Sequence, residues 1–337
     1  MRVLLATDRW PGDDGWAGLD SWTVGTALAR AWADLGDEVA VVPVGAAGAG
    51  FGGCLRRLGQ VLGSGTRSPV ALSPQFGRSA GMTRTGPDPW TASSAPLAGC
   101  LKQLMPAQSA SRRSTVLELA GVPWRDGGRG MATALGLAGS PGNGSGLLPD
   151  TLVTTREEVE RALTGLRGLV SLEGREEGMD PARMLELDQR LCDWAAELTG
   201  DPDAGTVPGT GAAGGVGLVI SALGGQITTG SRYLLDLAEA ETTISSADLV
   251  VTGCRDLSMM SLDQEVVSTL TMMAGQAGVP VIAVTRTTVL PARQLRESGL
   301  EAALPIGPEG DFPGPDDAVT AAELTRRTVP VARTWHW

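Results

Sequence analysis

Two aspartates follow predicted strands, and a carboxylate in that position can hold a metal ion or accept a proton from a hydroxyl group. Asp8 follows the apolar run 3–6, and Asp126 lies in a glycine-containing loop between the apolar run 115–119 and a predicted helix. An aspartate in front of a helix also caps its free N–H groups without any catalytic role. Both interpretations remain open for Asp126 and for Asp8.

A second candidate is the glycine-rich segment 207–217, VPGTGAAGGVG. Small residues let backbone N–H groups approach an anion, and a helix that follows adds the positive end of its dipole. The segment lacks the lysine and the Ser/Thr of a P-loop, and Pro208 breaks the strand that a dinucleotide loop requires. The alternative is a tight turn that lets a helix pack closely. The candidate anion-binding residues are Gly209, Gly211, Gly214, Gly215 and Gly217.

The segment 247–286 is predicted to form a strand, a loop, a helix and a second, parallel strand. The helix is long enough to cross over a sheet. In open α/β sheets, ligands bind beyond the carboxyl ends of the strands. We therefore predict that the chemistry of the protein lies in the loop after Gly253, residues 254–260.

Composition narrows the possible partners. The net charge of −11, from 27 basic and 38 acidic residues, disfavours nucleic acid and anionic membranes. Neither a run of 18 apolar residues nor a signal peptide is recognisable, so we expect a cytoplasmic protein without a membrane partner. The single histidine, His336, argues against Ser-His chemistry. Scattered cysteines without a CxxC motif predict neither a zinc site nor a disulfide framework, and we assign no metal ligand. These cysteines are Cys54, Cys100, Cys192 and Cys254.

Strands and helices alternate along the chain, which is typical of an α/β protein. The chain opens as strand, helix and strand, the start of a doubly wound domain. The outer segments together predict about five parallel strands, and the middle of the chain is interpreted as an insertion.

Helices are also predicted inside the middle segment. One covers residues 155–166, with Thr154 or Thr155 as its N-cap and, in the second case, Glu158 placed for a capping box. A second covers 181–198, with an apolar face that includes Leu185. A third covers 233–241 and leads into the segment 247–286.

Blocks of sequence in a fixed order resemble motifs of the bacterial glycerate kinase family. RVLLATDRWPG at 2–12 is similar to KIVIAPDSFKG, and RDGGRGMATALG at 125–136 is similar to DGGxGMxxALG. GTGAAGGVG at 209–217 is similar to GGGAAGGxG. ADLVVTG followed by GVPVIAV is similar to ALVITGEGRxD followed by VPVIGI. The resemblance runs from residue 1 to about residue 306.

This resemblance implies a Rossmann-like or flavodoxin-like parallel-sheet domain built from both chain ends, residues 1–65 and 242–337. Residues 66–241 would form an inserted second α/β domain. The implied activity is ATP-dependent phosphorylation of glycerate with Mg²⁺, so the implied partners are a small hydroxy acid and a nucleotide. Asp126 and Asp8 become candidate catalytic residues, and the glycine-rich loop with Thr252 and Gly253 becomes the candidate cofactor site.

The same blocks depart from the family pattern at positions where the family has charged residues. These departures matter because phosphoryl transfer needs carboxylates to bind Mg²⁺ and cations beside the transferred group. DGGEGT is replaced by AAGAGF at 46–51. We therefore weigh two functions: a glycerate kinase with impaired or altered catalysis, and a non-catalytic protein that binds a ligand or partner on the same scaffold. Further departures are Arg9 for serine, Pro11 for lysine, Cys254 for glutamate, Asp256 for arginine, Ser258 for aspartate and Glu265 for lysine. A shifted placement of the loop would bring Arg255 or Asp263 into a nearby role, although the spacing of the strands fits without a gap.

Overall fold

A computed structural model describes most of the protein. The described residues are 1–11, 18–48, 50–63, 69–74, 88–109, 115–137, 148–258, 265–307 and 320–337. Met259 and Met260, at the end of the loop 254–260, lie outside them, and so does Asp263. No helix in the described part of the chain is long and apolar enough to cross a membrane.

Strands and helices alternate as the sequence predicts. The strands are β1 (Arg2–Leu5), β2 (Glu38–Val41), β3 (Val70–Leu72), β4 (Thr115–Glu118), β5 (Thr151–Thr154), β6 (Gln226–Thr229), β7 (Leu249–Thr252), β8 (Asp256–Leu257), β9 (Val281–Thr285), β10 (Thr287–Thr288) and β11 (Ala302–Pro305). The helices are α1 (Ser21–Ala33), α2 (Phe51–Val61), α3 (Ala95–Ser109), α4 (Arg129–Leu135), α5 (Arg156–Val159), α6 (Leu169–Glu176), α7 (Pro181–Thr199), α8 (Ala212–Ala222), α9 (Gly230–Leu237), α10 (Ala240–Ser246), α11 (Glu265–Ala277), α12 (Ala292–Glu297) and α13 (Ala321–Thr334).

The chain divides into two compact units. The first unit combines residues 1–63 and 230–337, and the second consists of residues 64–229. Helix α9 belongs to the first unit, where it packs against α2 and α11.

The sheet of the first unit has five parallel strands in the order β11-β9-β7-β1-β2. Numbered within the unit, this is the order 2-1-3-4-5 of flavodoxin-like doubly wound folds. The predicted flavodoxin-like parallel sheet is confirmed. The strand order reverses between β1 and β7, and this switch point is where such folds bind ligands.

Helices cover both faces of this sheet, as the alternation of side chains along a strand requires. Val3 and Leu5 pack on one face with Trp32 of α1 and Leu324 of α13. Leu4 packs on the opposite face with residues of α10 and α11. Strands β7 and β9 are buried along their whole length, which explains why their sequences are apolar without a break.

The second unit contains a parallel sheet in the order β3-β4-β5-β6. Its core joins Leu117 and Leu152 of the sheet to Met131 of α4 and Trp194 of α7. The indole N–H of Trp194 donates to the carbonyl of Gly127 at 2.9 Å, so this tryptophan anchors the loop that contains Asp126.

Three local predictions are wrong for identifiable reasons. The helix predicted at 155–166 is limited to α5, and the capping box does not form: Thr155 makes no side-chain cap, and the carboxylate of Glu158 binds the Thr154 hydroxyl and the Ala213 N–H. Leu185 is 72% exposed, because the buried face of α7 starts only at Leu187. The helix predicted at 233–241 is two helices, α9 and α10, separated by a left-handed residue, Glu239, with φ of 51°.

Candidate functional site

Asp8 and Gly253 are adjacent at the switch point of the first unit. The N–H of Asp8 donates to the carbonyl of Gly253 at 2.9 Å. Glycine is required at this position, because a Cβ would lie 2.2 Å from the carbonyl oxygen of Val284. Two candidates far apart in the sequence therefore meet at the carboxyl edge of the sheet.

The environment of Asp8 makes it an unusual aspartate. Burial raises its pKa, although the N–H of Arg9, which donates to Oδ1 at 2.7 Å, and the positive charge of Arg9 lower it. A raised pKa brings a carboxyl group closer to neutral pH, where a group that exchanges protons works best. This environment is compatible with the catalytic role predicted for Asp8, which stays a prediction.

The charged side chains that follow Gly253 contact one another. The guanidinium of Arg255 lies 2.6 Å from Oδ2 of Asp256 and donates to the carbonyl of Pro11 at 2.9 Å. The hydroxyl of Thr287 donates to Oδ1 of Asp256 at 2.8 Å, beside the pairing of β8 with β10. These contacts fix the path of the loop.

Glu265 is buried between two helix ends. Its Oε1 accepts a hydrogen bond of 2.7 Å from the N–H of Ser231 near the start of α9, and the residue itself begins α11. Helix N-termini attract negative charge, so the fold stabilises a carboxylate where the family pattern has lysine.

Two buried cysteines near the switch point have strongly raised thiol pKa values. Burial is the main cause, and it raises the pKa of Cys254 to about 12 and that of Cys54 to about 11. Nearby Asp8 raises both further. The thiolate is the nucleophilic form of cysteine, so both residues are protonated and inert near neutral pH.

We expect Cys254 and Cys54 to resist alkylation by iodoacetamide at pH 8 in the folded protein. A thiol with a pKa of about 12 is thiolate in roughly one molecule in ten thousand at this pH. Half-buried Cys100 serves as the internal comparison and should react first. Peptide mass spectrometry measures each site, and the rate at Cys254 should rise about tenfold per pH unit between pH 8 and 10. Equal rates at Cys254 and Cys100 would contradict this assignment.

Three buried threonine hydroxyls lie close to the carboxyl ends of neighbouring strands. Thr7 follows β1, and Thr252 and Thr285 end β7 and β9; all three are fully buried. Their Oγ1 atoms have no hydrogen-bond partner among the described residues. Thr252 pairs with Ala283 in the sheet register, so Thr252 and Thr285 face the same side. An unpaired buried hydroxyl is costly and calls for an explanation such as a bound water or ligand.

In the second unit, Asp126 accepts four hydrogen bonds from groups near two helix starts. Its Oδ2 accepts from the N–H and hydroxyl of Ser94 at 2.7 and 2.9 Å and from the N–H of Gly130 at 3.1 Å. Its Oδ1 accepts from the N–H of Gly128 at 3.0 Å. This aspartate therefore ties the start of α3 to the start of α4. It also faces a cavity of about 590 Å³ whose wall includes Arg129.

The glycine-rich loop is a tightly packed turn in the same unit. Ala213, Gly214 and Gly215 have φ angles of 50°, 66° and 97°. A Cβ on Gly214 would lie 2.2 Å from the carbonyl oxygen of Trp124, and one on Gly215 would lie 2.3 Å from Cα of Gly127. The atoms that require glycine here belong to the protein itself.

Many N–H groups of this loop already have acceptors. Those of Gly209 and Gly211 donate to the carbonyl of Arg161 at 2.9 and 3.0 Å, and that of Ala213 donates to Glu158 at 3.1 Å. A phosphate would have to compete with these acceptors. The contacts agree with the tight-turn alternative, and the predicted anion-binding role remains untested.

Mg²⁺ in phosphoryl-transfer sites is usually held by one or two carboxylates together with phosphate oxygens of the substrate. Among the described residues, no group of three or more His, Cys, Asp and Glu side chains could hold a metal ion. The carboxylate of Asp126 is already engaged with four donors.

A further cavity of about 480 Å³ lies in the first unit beside Asp8. Its wall includes Arg9 and, on one face of α2, Arg56 and Arg57. These arginines were not predicted as site residues, because α2 itself was not predicted: Gly52 and Gly53 lower its helix propensity. The spacing of apolar residues was the signal that could have revealed the helix. Its buried face consists of Phe51, Cys54, Leu55 and Leu58.

The switch point and the sheet order define a doubly wound α/β protein. A model of the glycerate kinase family matches residues 147–336, which is more than half of the chain. An uncharacterized protein of Mycobacterium bovis is 30% identical over 331 residues, covering 91% of this chain and 84% of its own. The chain belongs to the glycerate kinase family, and the resemblance inferred from the motifs is confirmed.

Relatives with assigned activities are similar over shorter stretches. The glycerate kinase of Bacillus cereus is 29% identical over 57% of this chain and 56% of its own. The glycerate 2-kinase of Escherichia coli K12 is 25% identical over 60% of each chain. A crystal structure assigned to glycerate kinase 2 of Salmonella typhimurium LT2 matches with a TM-score of 0.70 over 99% of this chain and 98% of that chain. At a sequence identity of 20%, this structural match is evidence for the fold alone.

Proposed function

We propose that this chain is a glycerate kinase-like protein in which the transfer of phosphate from ATP to glycerate is strongly impaired. The observation that carries the proposal is the packing around the loop after Gly253. Asp256 is paired with Arg255, and Glu265 is hydrogen-bonded at a helix start. These two positions hold a cation in the family pattern, and here each holds a carboxylate that the fold uses for its own contacts.

The size of the expected impairment follows from the number of lost groups. Loss of a single preorganised contact to the developing charge costs about 10²–10³ in rate. Cys254 adds a further loss, because a buried neutral thiol cannot replace a carboxylate as a ligand of Mg²⁺. We therefore place the expected rate at least about a thousandfold below that of a relative that keeps these groups.

A second candidate is binding without turnover, and the cavity beside Asp8 favours it. In this version the protein takes up a small hydroxy acid or a nucleotide but transfers nothing. By the family pattern, Asp8 of the first unit and Asp126 of the second are the candidate catalytic carboxylates. The candidate nucleotide contacts are Thr252 and Gly253 in the first unit and the glycine-rich loop, residues 209–217, in the second. These roles come from the family pattern and belong to the proposal.

The test is a turnover assay with purified protein, glycerate and ATP, with and without Mg²⁺, that measures phosphoglycerate directly. The glycerate 2-kinase of Escherichia coli, assayed in parallel, is the positive control. We expect kcat/KM at least about a thousandfold below that of the control enzyme. The proposal would be overturned by a value within tenfold of the control that is lost in Asp126→Asn.

A further inference from the structure

The cavity of about 590 Å³ beside Asp126 is lined by large apolar side chains. Leu187, Leu191 and Trp194 are four and three residues apart on α7, so they share one helix face. Together with Trp90 they form what we call the apolar wall of the cavity. Small side chains leave room beside this wall: Ala92, Ala95 and Ala134. A ligand group buried here would gain stability in proportion to its apolar area.

Several polar groups around the cavity are already engaged by the protein itself. The indole N–H of Trp90 donates to Oε2 of Glu177 at 2.8 Å, and that of Trp194 donates to the carbonyl of Gly127 at 2.9 Å. Both rings therefore present apolar surface to a ligand. The carboxylate of Asp126 already accepts four hydrogen bonds. A ligand rich in hydroxyl groups would find few partners here, and burying unpaired hydroxyls is costly.

Two arginines at the exposed edge of the cavity can meet an anion. Arg190 is exposed on α7 and forms no salt bridge with any described residue. This holds even for the acidic side chains one turn away on the same helix, Glu186 and Asp193. Arg129 lies 3.3 Å from Glu197, but both side chains are more than half exposed, and such pairs are weak. Its Cζ lies 5.3 Å from the ring centre of Trp194, beside the apolar wall.

We infer that this cavity binds a monocarboxylate with an aromatic ring. The ring would pack on the apolar wall, where aromatic pairs add to the gain from burial, and the carboxylate would meet Arg129 and Arg190. A volume of about 590 Å³ with an apolar wall and a few polar groups is typical of sites for small molecules. A three-carbon acid would leave most of this volume to water. The inference goes beyond the proposed function, since the family pattern implies a small polar acid and a nucleotide.

Isothermal titration calorimetry at low ionic strength tests this site, because salt weakens contacts between exposed charges. The probes are 3-phenylpropanoate, propanoate without the ring, 3-phenylpropan-1-ol without the charge, and glycerate. We expect saturable binding of 3-phenylpropanoate, with a Kd at least about tenfold lower than for propanoate or glycerate, because the ring adds buried apolar area. The alcohol should bind about three- to fivefold more weakly than the acid. Propanoate or glycerate binding as tightly as 3-phenylpropanoate would overturn the aromatic assignment, and an equally tight alcohol would overturn the carboxylate.

Three variants locate the binding in this cavity. Thr133→Trp places a large ring at an exposed residue of the cavity lining, and we expect a Kd for 3-phenylpropanoate at least about tenfold higher. Arg190→Gln removes one exposed cation and should raise this Kd about three- to fivefold, without affecting the alcohol. Arg175→Gln makes the same charge change at an exposed residue of α6 outside the cavity lining, and this matched control should leave the Kd unchanged.

The inference fails if the unaltered protein gives no saturable heat with 3-phenylpropanoate, or if Arg175→Gln weakens binding as much as Arg190→Gln. It also fails if ATP binds more tightly than 3-phenylpropanoate and Thr133→Trp abolishes that binding, because the cavity would then be a nucleotide site. None of these results changes the outcome of the turnover assay. Conversely, efficient formation of phosphoglycerate would overturn the proposed impairment without deciding whether an aromatic acid binds. The two proposals can therefore fail separately.

Discussion

Gly215→Ala is expected to destabilise the protein by about 4 kcal/mol. Two costs add up: Gly215 has a φ of 97°, where a residue with a side chain is strained, and its new Cβ would lie 2.3 Å from Cα of Gly127. The clash is with backbone in a fully buried turn, so no flexible side chain can move aside. Relief would require moving the loop that carries Asp126.

Urea denaturation followed by tryptophan fluorescence measures this effect, since Trp124 and Trp194 lie next to the turn. Gly275→Ala is the matched control, because Gly275 is exposed in α11 and its Cβ would meet no atom within 4 Å. That change should stabilise by up to about 1 kcal/mol through helix propensity. Equal midpoints for the two variants would show that the glycine-rich turn is looser than described.

Glu173→Ala is expected to cost about 3–5 kcal/mol, because it leaves two cations without their shared partner. Glu173 of α6 forms salt bridges with both Arg125 and Arg161, and their side chains are only 9% and 17% exposed. Arg125 also donates to the carbonyls of Val122 and Trp124. The carbonyl of Arg161 accepts hydrogen bonds from the N–H groups of Gly209 and Gly211 in the glycine-rich loop. One carboxylate thus supports both candidate segments of the second unit.

The matched control for this variant is Glu197→Ala, which breaks an exposed pair with Arg129. The two side chains are 53% and 58% exposed, and such pairs contribute at most about 1 kcal/mol. Glu173→Gln keeps hydrogen-bonding capacity without charge and should lie between the two in urea midpoint. A Glu173→Ala protein as stable as Glu197→Ala would refute the buried network.

The sequence predicted the first unit well because its central strands are buried on both faces. The runs in β7 and β9 are uninterrupted and apolar, and the glycines beside them mark their limits. Helix α2 was not predicted, since its glycines lower helix propensity, and the spacing of its apolar residues indicates a helix only when a core lies beside it. Leu185 was wrongly predicted to lie on the buried face of α7. Periodicity shows which residues share a helix face but does not show at which residue that face becomes buried.

The candidate site was predictable in its positions and less so in its chemistry. Aspartates at strand ends were recognisable, and the parallel topology brings Asp8 beside Gly253. The sequence could not show that Asp126 would use both oxygens on backbone donors, or that Glu265 would meet the N–H of Ser231. These partners are distant in sequence or depend on loop geometry, so no local sequence pattern predicts them.

The strand order of the first unit also determines the sequence of events during synthesis. The central strand β1 pairs with β2 and with β7, which emerges from the ribosome only after the whole second unit. Domains generally fold as units while the chain grows, so the contiguous second unit can fold while the first still waits for three of its five strands. During that interval one edge of β1 has no partner strand, and an unpaired strand edge promotes aggregation. Slow translation before β7, or a shortage of chaperones, should therefore reduce the yield of folded protein through the first unit.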